Sequence, residues 1–105
     1  MVLGKVIGTV WATRKDEQLT GMKLQIVREV TLDFAEKAKF TVAVDSVGAG
    51  VGEIVLMAQG SSARQTDLTR NKPVDAVIVA IVDTLDVPKA PAVEAAEAIL
   101  AEAAA

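Results

Sequence analysis

Residues 40–58 read FTVAVDSVGAGVGEIVLMA, two strand-like stretches joined by a loop that contains three glycines. Large and small apolar residues alternate before the loop, and a β-branched, apolar run follows it, so each flank is predicted as a strand. The G-x-G-x-G spacing does not match the G-x-G-x-x-G fingerprint of dinucleotide sites, which opens a helix. We therefore interpret the loop as a tight connection that uses positive φ or packs its backbone against a neighbour. Its glycines are Gly48, Gly50 and Gly52.

Five stretches of the chain have the composition of short strands bounded by polar or glycine-rich segments. Gly4 and Gly8 lie inside the first, where glycine often marks a bulge or a close approach of two backbones. A short helical turn is predicted near Gly60–Arg64. This content predicts an all-β fold, a small five-stranded OB-like β-barrel that is closed or nearly closed. The five stretches are Val2–Trp11, Lys23–Val30, Phe40–Asp45, Glu53–Ala58 and Ala76–Leu85.

The chain divides into a barrel domain, residues 1–87, and an Ala/Glu-rich C-terminal tail, residues 88–105. Alanine and glutamate are good helix formers, and Pro91 suits a first helical position, so we predict a helix from about Ala92. The tail is too short to be stable alone as a helix, because isolated helices of this length are marginal in water. Its apolar residues form a narrow stripe, so two interpretations stay open: a helix that docks on another surface, or a tail that is solvated.

The composition of the 105 residues excludes much ordinary chemistry. Cysteine and histidine are both absent, which excludes disulfides, thiolate and imidazole metal ligands, cysteine nucleophiles and histidine bases. A net charge of −3 and only three aromatic residues disfavour nucleic acid as a partner. The longest apolar run, Ala76–Val82, is far shorter than a bilayer span, and the N-terminus shows no secretory signal. We predict no cofactor, no metal site and no membrane partner.

Two residue sets remain as candidates for a catalytic site. Carboxylates at strand ends can pair for acid–base chemistry, but the spacing of Asp45, Glu53, Asp67, Asp75 and Asp83 selects no pair. The segment Ser61-Ser62-Ala63-Arg64 carries two hydroxyls and a guanidinium, without a histidine to act as base. We expect Ser61 or Ser62 to cap the short helical turn instead. A small carboxylate enzyme stays open as an alternative at this point.

Five segments, in order along residues 1–87, resemble the EutN/CcmL family, the pentameric vertex proteins of bacterial microcompartment shells. No single segment decides the resemblance, but their order and spacing together are specific. The segments are GKVIGTV (4–10) with TRKD (13–16), GMKL (21–24), VDSVGAGVGE (44–53), GSSAR (60–64) and PVDAVIVAIVD (73–83).

The resemblance implies a non-enzymatic structural protein in the shell of an organelle in the bacterial cytoplasm. It implies a homopentameric ring of OB-like barrels that joins hexameric and pseudohexameric shell proteins. An OB-fold binding module for nucleic acid or another ligand is the alternative. By the resemblance, the pore is lined by Ser61 and Ser62, and the subunit interface contains Gly48, Gly50, Gly52, Glu53, Arg64 and Asp75.

Overall fold

The computed structural model describes residues 1–87 and residues 99–100. Within residues 1–87 the strands close into a barrel in the order β1-β2-β3-β5-β4, with β4 pairing back onto β1. This confirms the prediction of a small all-β, five-stranded barrel. The strands are β1 (Val2–Val10), β2 (Leu24–Val30), β3 (Glu36–Asp45), β4 (Ile54–Gln59) and β5 (Ala76–Val82).

Strand β5 lies between β3 and β4, although β3 and β4 are consecutive in the chain. It pairs with β4 in antiparallel fashion and with β3 in parallel, through Val44 opposite Val77 and Asp45 opposite Ile78. The first three residues of β5, Ala76–Ile78, are all buried. Both faces of the strand are covered at these three residues, whereas the last four are half-buried, and burial on both faces explains the continuous apolar sequence at its start.

The two glycines of β1 have the two roles that the sequence suggested. Gly8 lies at a register shift between β1 and β2, where Val6 faces Val27 and Gly8 faces Ile26. A Cβ atom at Gly4 would collide with the side chain of Val27. One glycine therefore marks a bulge and the other a close approach of two strands.

The apolar residues form two clusters, one inside the barrel and one against its outer face. The inner cluster is Val6, Val27, Ala43, Ala49, Val55, Met57, Ala76 and Ile78. The outer cluster is Met22, Val44, Ala58, Ala63 and Val77. Ala63 lies in the 3₁₀ turn Gly60–Arg64, so this turn covers outward-facing residues of the sheet that would otherwise meet water.

The structure extends one predicted strand and adds a turn. β3 begins at Glu36 rather than at Phe40, because residues 36–39, three of which are charged, form a hairpin extension in which Val30 pairs with Glu36. A second 3₁₀ turn, Glu17–Leu19, lies between β1 and β2 and is capped by Asp16. The C-terminal tail, residues 88–105, with the helix predicted from about Ala92, lies outside the described residues except for Ile99 and Leu100, which are helical and 67% exposed.

Candidate assembly surface

Residues 46–53, which we call the glycine loop, connect β3 to β4 across the end of the barrel. Gly48 has φ of +75° and Gly52 has φ of +94°. Side chains at these two positions would be strained, so the sequence requires glycine there. Gly50 is not in this region; a Cβ added to it would lie 3.2 Å from the Glu53 carboxylate. The expectation of positive φ is confirmed at two of the three glycines.

Carboxylates at the two ends of the glycine loop bind its backbone amides. Oδ1 of Asp45 accepts hydrogen bonds from the amides of Val47 and Gly48, both at 3.0 Å. Oε1 of Glu53 accepts one from the amide of Gly50 at 2.6 Å. Charge-assisted bonds of this kind are among the stronger ones in proteins, so the loop has a defined shape within a single copy of the chain.

The same loop is anchored to the barrel on several sides. The amide of Gly52 donates a hydrogen bond to the carbonyl of Val6 at 2.8 Å. The amide of Val6 in turn donates to the carbonyl of Glu53 at 3.0 Å. Oγ of Ser46 donates to the carbonyl of Ile78 on β5 (2.6 Å). Ala49 projects into the inner cluster and is buried. The loop thus closes this end of the barrel.

The outer side of the glycine loop exposes apolar side chains and backbone to solvent. Val51 is 66% exposed, and Val47 is exposed beside it. Gly48, Gly52 and Glu53 are exposed as well. A rigid loop that presents valine side chains and bare backbone to water is a suitable surface for close packing against another protein.

The other predicted contact residues, Arg64 and Asp75, lie together on a different part of the molecule. Nη1 of Arg64 donates to the carbonyl of Val74 at 3.1 Å, and the amide of Gly60 donates to the carbonyl of Asp75 at 2.8 Å. Arg64 therefore fixes the chain between the 3₁₀ turn and β5. Within the described part of the chain, the ion pairs join Lys39 to Glu29 and Arg70 to Asp67, so Arg64 and Asp75 do not pair within one copy.

An open groove runs beside this pair, and we call it the Arg64 groove; its lining residues are Arg64, Lys72, Pro73, Val74 and Asp75. A neighbouring depression shares Pro73, Val74 and Asp75 with it and continues to Val42 and Leu24 on the outer face of the sheet. Val42 and Phe40 on this face are exposed. The groove and the exposed face of β3 therefore form one continuous surface with two cationic residues at one end.

Ser61 and Ser62 are both exposed on the 3₁₀ turn, but they do not cap it. The N-cap position is Gln59, and no side chain caps the turn. The capping prediction is wrong because Gly60, at φ of +64°, turns the chain directly out of β4. The turn therefore begins one residue before the serines, and both hydroxyls face outward, free for another contact.

Sequence reasoning missed one buried polar side chain that bears on the glycine loop. Gln25 on β2 is fully buried, and its Nε2 donates to the carbonyl of Ala49 at 2.8 Å. The signal was present in the alternation of β2, where position 25 shares a face with the buried Val27. A polar residue on the buried face of a strand normally has a hydrogen-bonding partner inside the fold.

The remaining electrostatic features lie apart from these surfaces. In the β2–β3 turn, a hydrogen bond from Thr31 lowers the pKa of Asp33. Among residues 1–87 and 99–100, no group of three or more acidic side chains is arranged to hold a metal ion. Over the same residues, no helix is both long and apolar enough to cross a membrane.

Comparison with known proteins defines the class of this barrel. Residues 1–83 match the family model described as ethanolamine utilisation protein EutN/carboxysome. The chain is 49% identical over 86 residues to the bacterial microcompartment shell vertex protein GrpN of Rhodospirillum rubrum, covering 82% of this chain and 97% of that protein. It is 44% identical over 87 residues to the carboxysome shell vertex protein CcmL of Synechocystis, covering 83% of this chain and 87% of that protein. Its class is that of microcompartment shell vertex proteins.

Solved structures agree with the sequence matches. The GrpN pentameric microcompartment shell protein from Rhodospirillum rubrum superposes with a TM-score of 0.76 at 48% identity, covering 84% of this chain and all of that one. CcmL of Gloeobacter violaceus superposes with a TM-score of 0.78 at 38% identity, covering 83% of this chain and 90% of that one. The chain belongs to the EutN/CcmL family, as the resemblance of its five segments indicated.

Proposed function

We propose that this chain is a structural protein that forms homopentamers and closes the vertices of a bacterial microcompartment shell in the cytoplasm. The observation that carries the proposal is the superposition on a shell protein described as pentameric, which is matched over its entire length. The relatives are vertex proteins by name. The proposed partners are other copies of the chain and the hexameric and pseudohexameric proteins of the shell. No enzymatic activity is proposed.

A closed ring needs two different contact surfaces on each copy, because a head-to-tail interface joins one patch to another patch on the next copy. The glycine loop and the Arg64 groove are two such surfaces. The proposed interface residues are those that the family resemblance implied: Gly48, Gly50, Gly52, Glu53, Arg64 and Asp75.

We place the glycine loop of one copy in the Arg64 groove of the next. Val51 would then cover the exposed apolar face of β3, where Val42 lies. Glu53, exposed at the end of the loop, would meet the cationic end of the groove formed by Arg64 and Lys72. Complementary charge of this kind fixes the register of an interface more than it adds raw affinity.

Ser61 and Ser62 are proposed to line the central opening of the ring. Both side chains are exposed on the turn that follows β4. The same turn carries Arg64, so a ring contact at Arg64 keeps the two hydroxyls near the interface. Five copies would repeat this polar pair around the axis.

Co-expression with the hexameric proteins of a microcompartment shell tests the proposal. We expect closed polyhedral shells when this chain is present, and open or elongated assemblies when it is omitted, as seen by electron microscopy. A Gly50→Val variant serves as the matched control and should behave like omission. Shells that close equally well without the chain, or that exclude it on purification, would contradict the vertex function.

A further inference from the structure

Gln25 is a fully buried polar residue in the wall of the barrel, and its side chain joins three parts of the chain. Its Oε1 accepts a hydrogen bond from the hydroxyl of Thr9 on β1 at 2.7 Å. Its Nε2 donates to the carbonyl of Ala49 in the glycine loop at 2.8 Å. The Thr9 contact occupies the carbonyl end of the amide and so turns the NH₂ group toward the loop.

The same NH₂ group lies 3.4 Å from Oδ2 of Asp45. Asp45 is the residue whose other oxygen binds the amides of Val47 and Gly48. Gln25 therefore contacts the loop directly at Ala49 and indirectly through the carboxylate that shapes its first half. The β1 bulge contributes as well, because the register after it sets Thr9 opposite Gln25.

We propose that Gln25 is a positioning residue for assembly: it holds the glycine loop in the one shape that the neighbouring copy can accept. The proposal rests on the proposed function, in which this loop is a ring contact. A loop with three glycines in five positions has a large conformational entropy when it is not held. A loop ordered before the subunits meet loses less entropy on binding, so association is stronger.

The alternative role for Gln25 is simple stability of the barrel, and a matched variant separates the two. Gln25→Leu keeps the approximate volume and removes the side-chain hydrogen bonds of residue 25 to Thr9, Asp45 and Ala49. Val30→Ala changes another buried residue of the same strand. Val30 lies at the opposite end of β2, where it pairs with Glu36. A role in stability alone predicts that both variants weaken the ring in proportion to their loss of thermal stability.

Two measurements on the 105-residue chain are compared at a temperature where both variants are folded. We expect Gln25→Leu to raise the concentration at which the ring dissociates by about tenfold or more, equivalent to about 1.4 kcal/mol. We also expect amide hydrogen exchange at Val47 and Gly48 to become about tenfold faster. Val30→Ala should change neither quantity by more than about twofold. Equal effects of the two variants would overturn the proposal.

Gln25→Glu provides a pH-dependent test in which the thermal stability of the variant is measured beside ring formation at each pH, because a role in stability alone predicts that the ring recovers only in proportion to the gain in thermal stability. At about pH 7.5 the introduced carboxylate is acceptor-only and repels Asp45, whereas in its protonated form it regains an O–H donor for the Ala49 carbonyl. We expect ring formation by this variant to recover as the pH is lowered to about 5, with no such gain in the wild type. Absence of recovery, with the variant folded, would contradict the proposal.

The outcomes distinguish this inference from the proposed function. A wild-type chain that is monomeric at all concentrations would overturn the ring and, with it, the assembly role of Gln25. A wild-type ring that persists unchanged in Gln25→Leu, with unchanged loop exchange, would overturn the role of Gln25 and leave the ring intact.

Discussion

The glycine loop and the β2–β3 turn, residues 31–35, both connect consecutive strands, but they are built in different ways. In the β2–β3 turn every hydrogen bond is local: Thr31 donates to the carbonyl of Ala35, and Phe34 donates to that of Thr31. Most of the turn is exposed. The glycine loop bonds instead to β1, β2 and β5 and buries Ala49 in the core.

The difference follows from the topology of the barrel. β2 and β3 are neighbours, so a short turn with its own hydrogen bonds can join them. β3 and β4 are separated by β5, and the loop between them has to cross the end of the barrel. A segment held by several strands has a fixed shape, whereas a locally held turn can vary. We infer that the first kind is suited to a specific contact between copies.

The largest expected effect comes from Gly50→Val in the glycine loop. The added side chain meets the Glu53 carboxylate and widens a surface that we propose packs against the next copy. We expect the ring to be lost while the Tm of the monomer falls by only a few degrees, about 4–8 °C per kcal/mol for a domain of this size. Native mass measurement reports the ring. Ala35→Val in the β2–β3 turn is the control and should assemble normally. An intact ring in the Gly50→Val variant would show that the glycine loop is not part of the interface.

A charge reversal across the proposed contact should have the next largest effect. Glu53→Lys would set two cations against each other at the Arg64 groove, and Arg64→Glu in the same chain would restore the attraction. Coupling between such interfacial charges is often about 1.5 kcal/mol or more. The dissociation constants of the two single variants, the double variant and the wild type form a double-mutant cycle. A coupling energy near zero would show that Glu53 and Arg64 do not meet.

Asp45→Ala tests the loop within a single copy. It removes the charged acceptor of the amides of Val47 and Gly48. A hydrogen bond to a charged group contributes about 1.5–3 kcal/mol to stability, and the exposure of both residues to water places the expected loss toward the lower end. Asp33→Ala in the exposed β2–β3 turn is the matched control and should cost clearly less. Urea unfolding measures both. A similar loss at the two sites would show that the glycine loop is no more constrained than the turn.

A smaller effect is expected from Thr31→Val in the β2–β3 turn. The hydrogen bond from Thr31 lowers the pKa of Asp33, so its loss should raise that pKa toward the ordinary value. When folding lowers the pKa of a carboxyl group, its ionised form stabilises the folded state. This stabilisation is complete above the pKa that the group has in the unfolded chain, and it is lost as the pH falls through the pKa of the folded state. The variant should therefore lose more stability, relative to the wild type, at neutral pH than in strong acid, where the loss of the hydrogen bond from the Ala35 amide to Oγ1 of Thr31 remains. An NMR titration of Asp33 that matches the wild type would contradict this account.

Deletion of residues 88–105 should have the least effect on assembly. The family model ends at residue 83, and both proposed contact surfaces lie within residues 1–87. We expect the truncated chain to form the same ring, as measured by native mass. Loss of the ring would show that the tail holds the subunits together, and the division into barrel domain and tail would then need revision.

The sequence predicted the features that depend on residues close to one another along the chain. The composition of Val2–Trp11 and the alternation along Phe40–Asp45 indicated strands, and the glycines marked the bulge and the loop. The start of β3 was missed because residues 36–39 are mostly charged and are all exposed, so they lack the apolar alternation that marks a half-buried strand. The link from Gln25 to Ala49 was missed because it joins residues 24 positions apart, and only the closed barrel brings them together.

The native mass of the purified chain tests the central claim most directly. Five copies of 11.0 kDa give 55 kDa. A single species of that mass, reduced to 11.0 kDa by Gly50→Val, is the result predicted for a ring that closes through the glycine loop. A wild-type protein that stays at 11.0 kDa at high concentration would contradict the ring and return an OB-fold binding module as the leading interpretation.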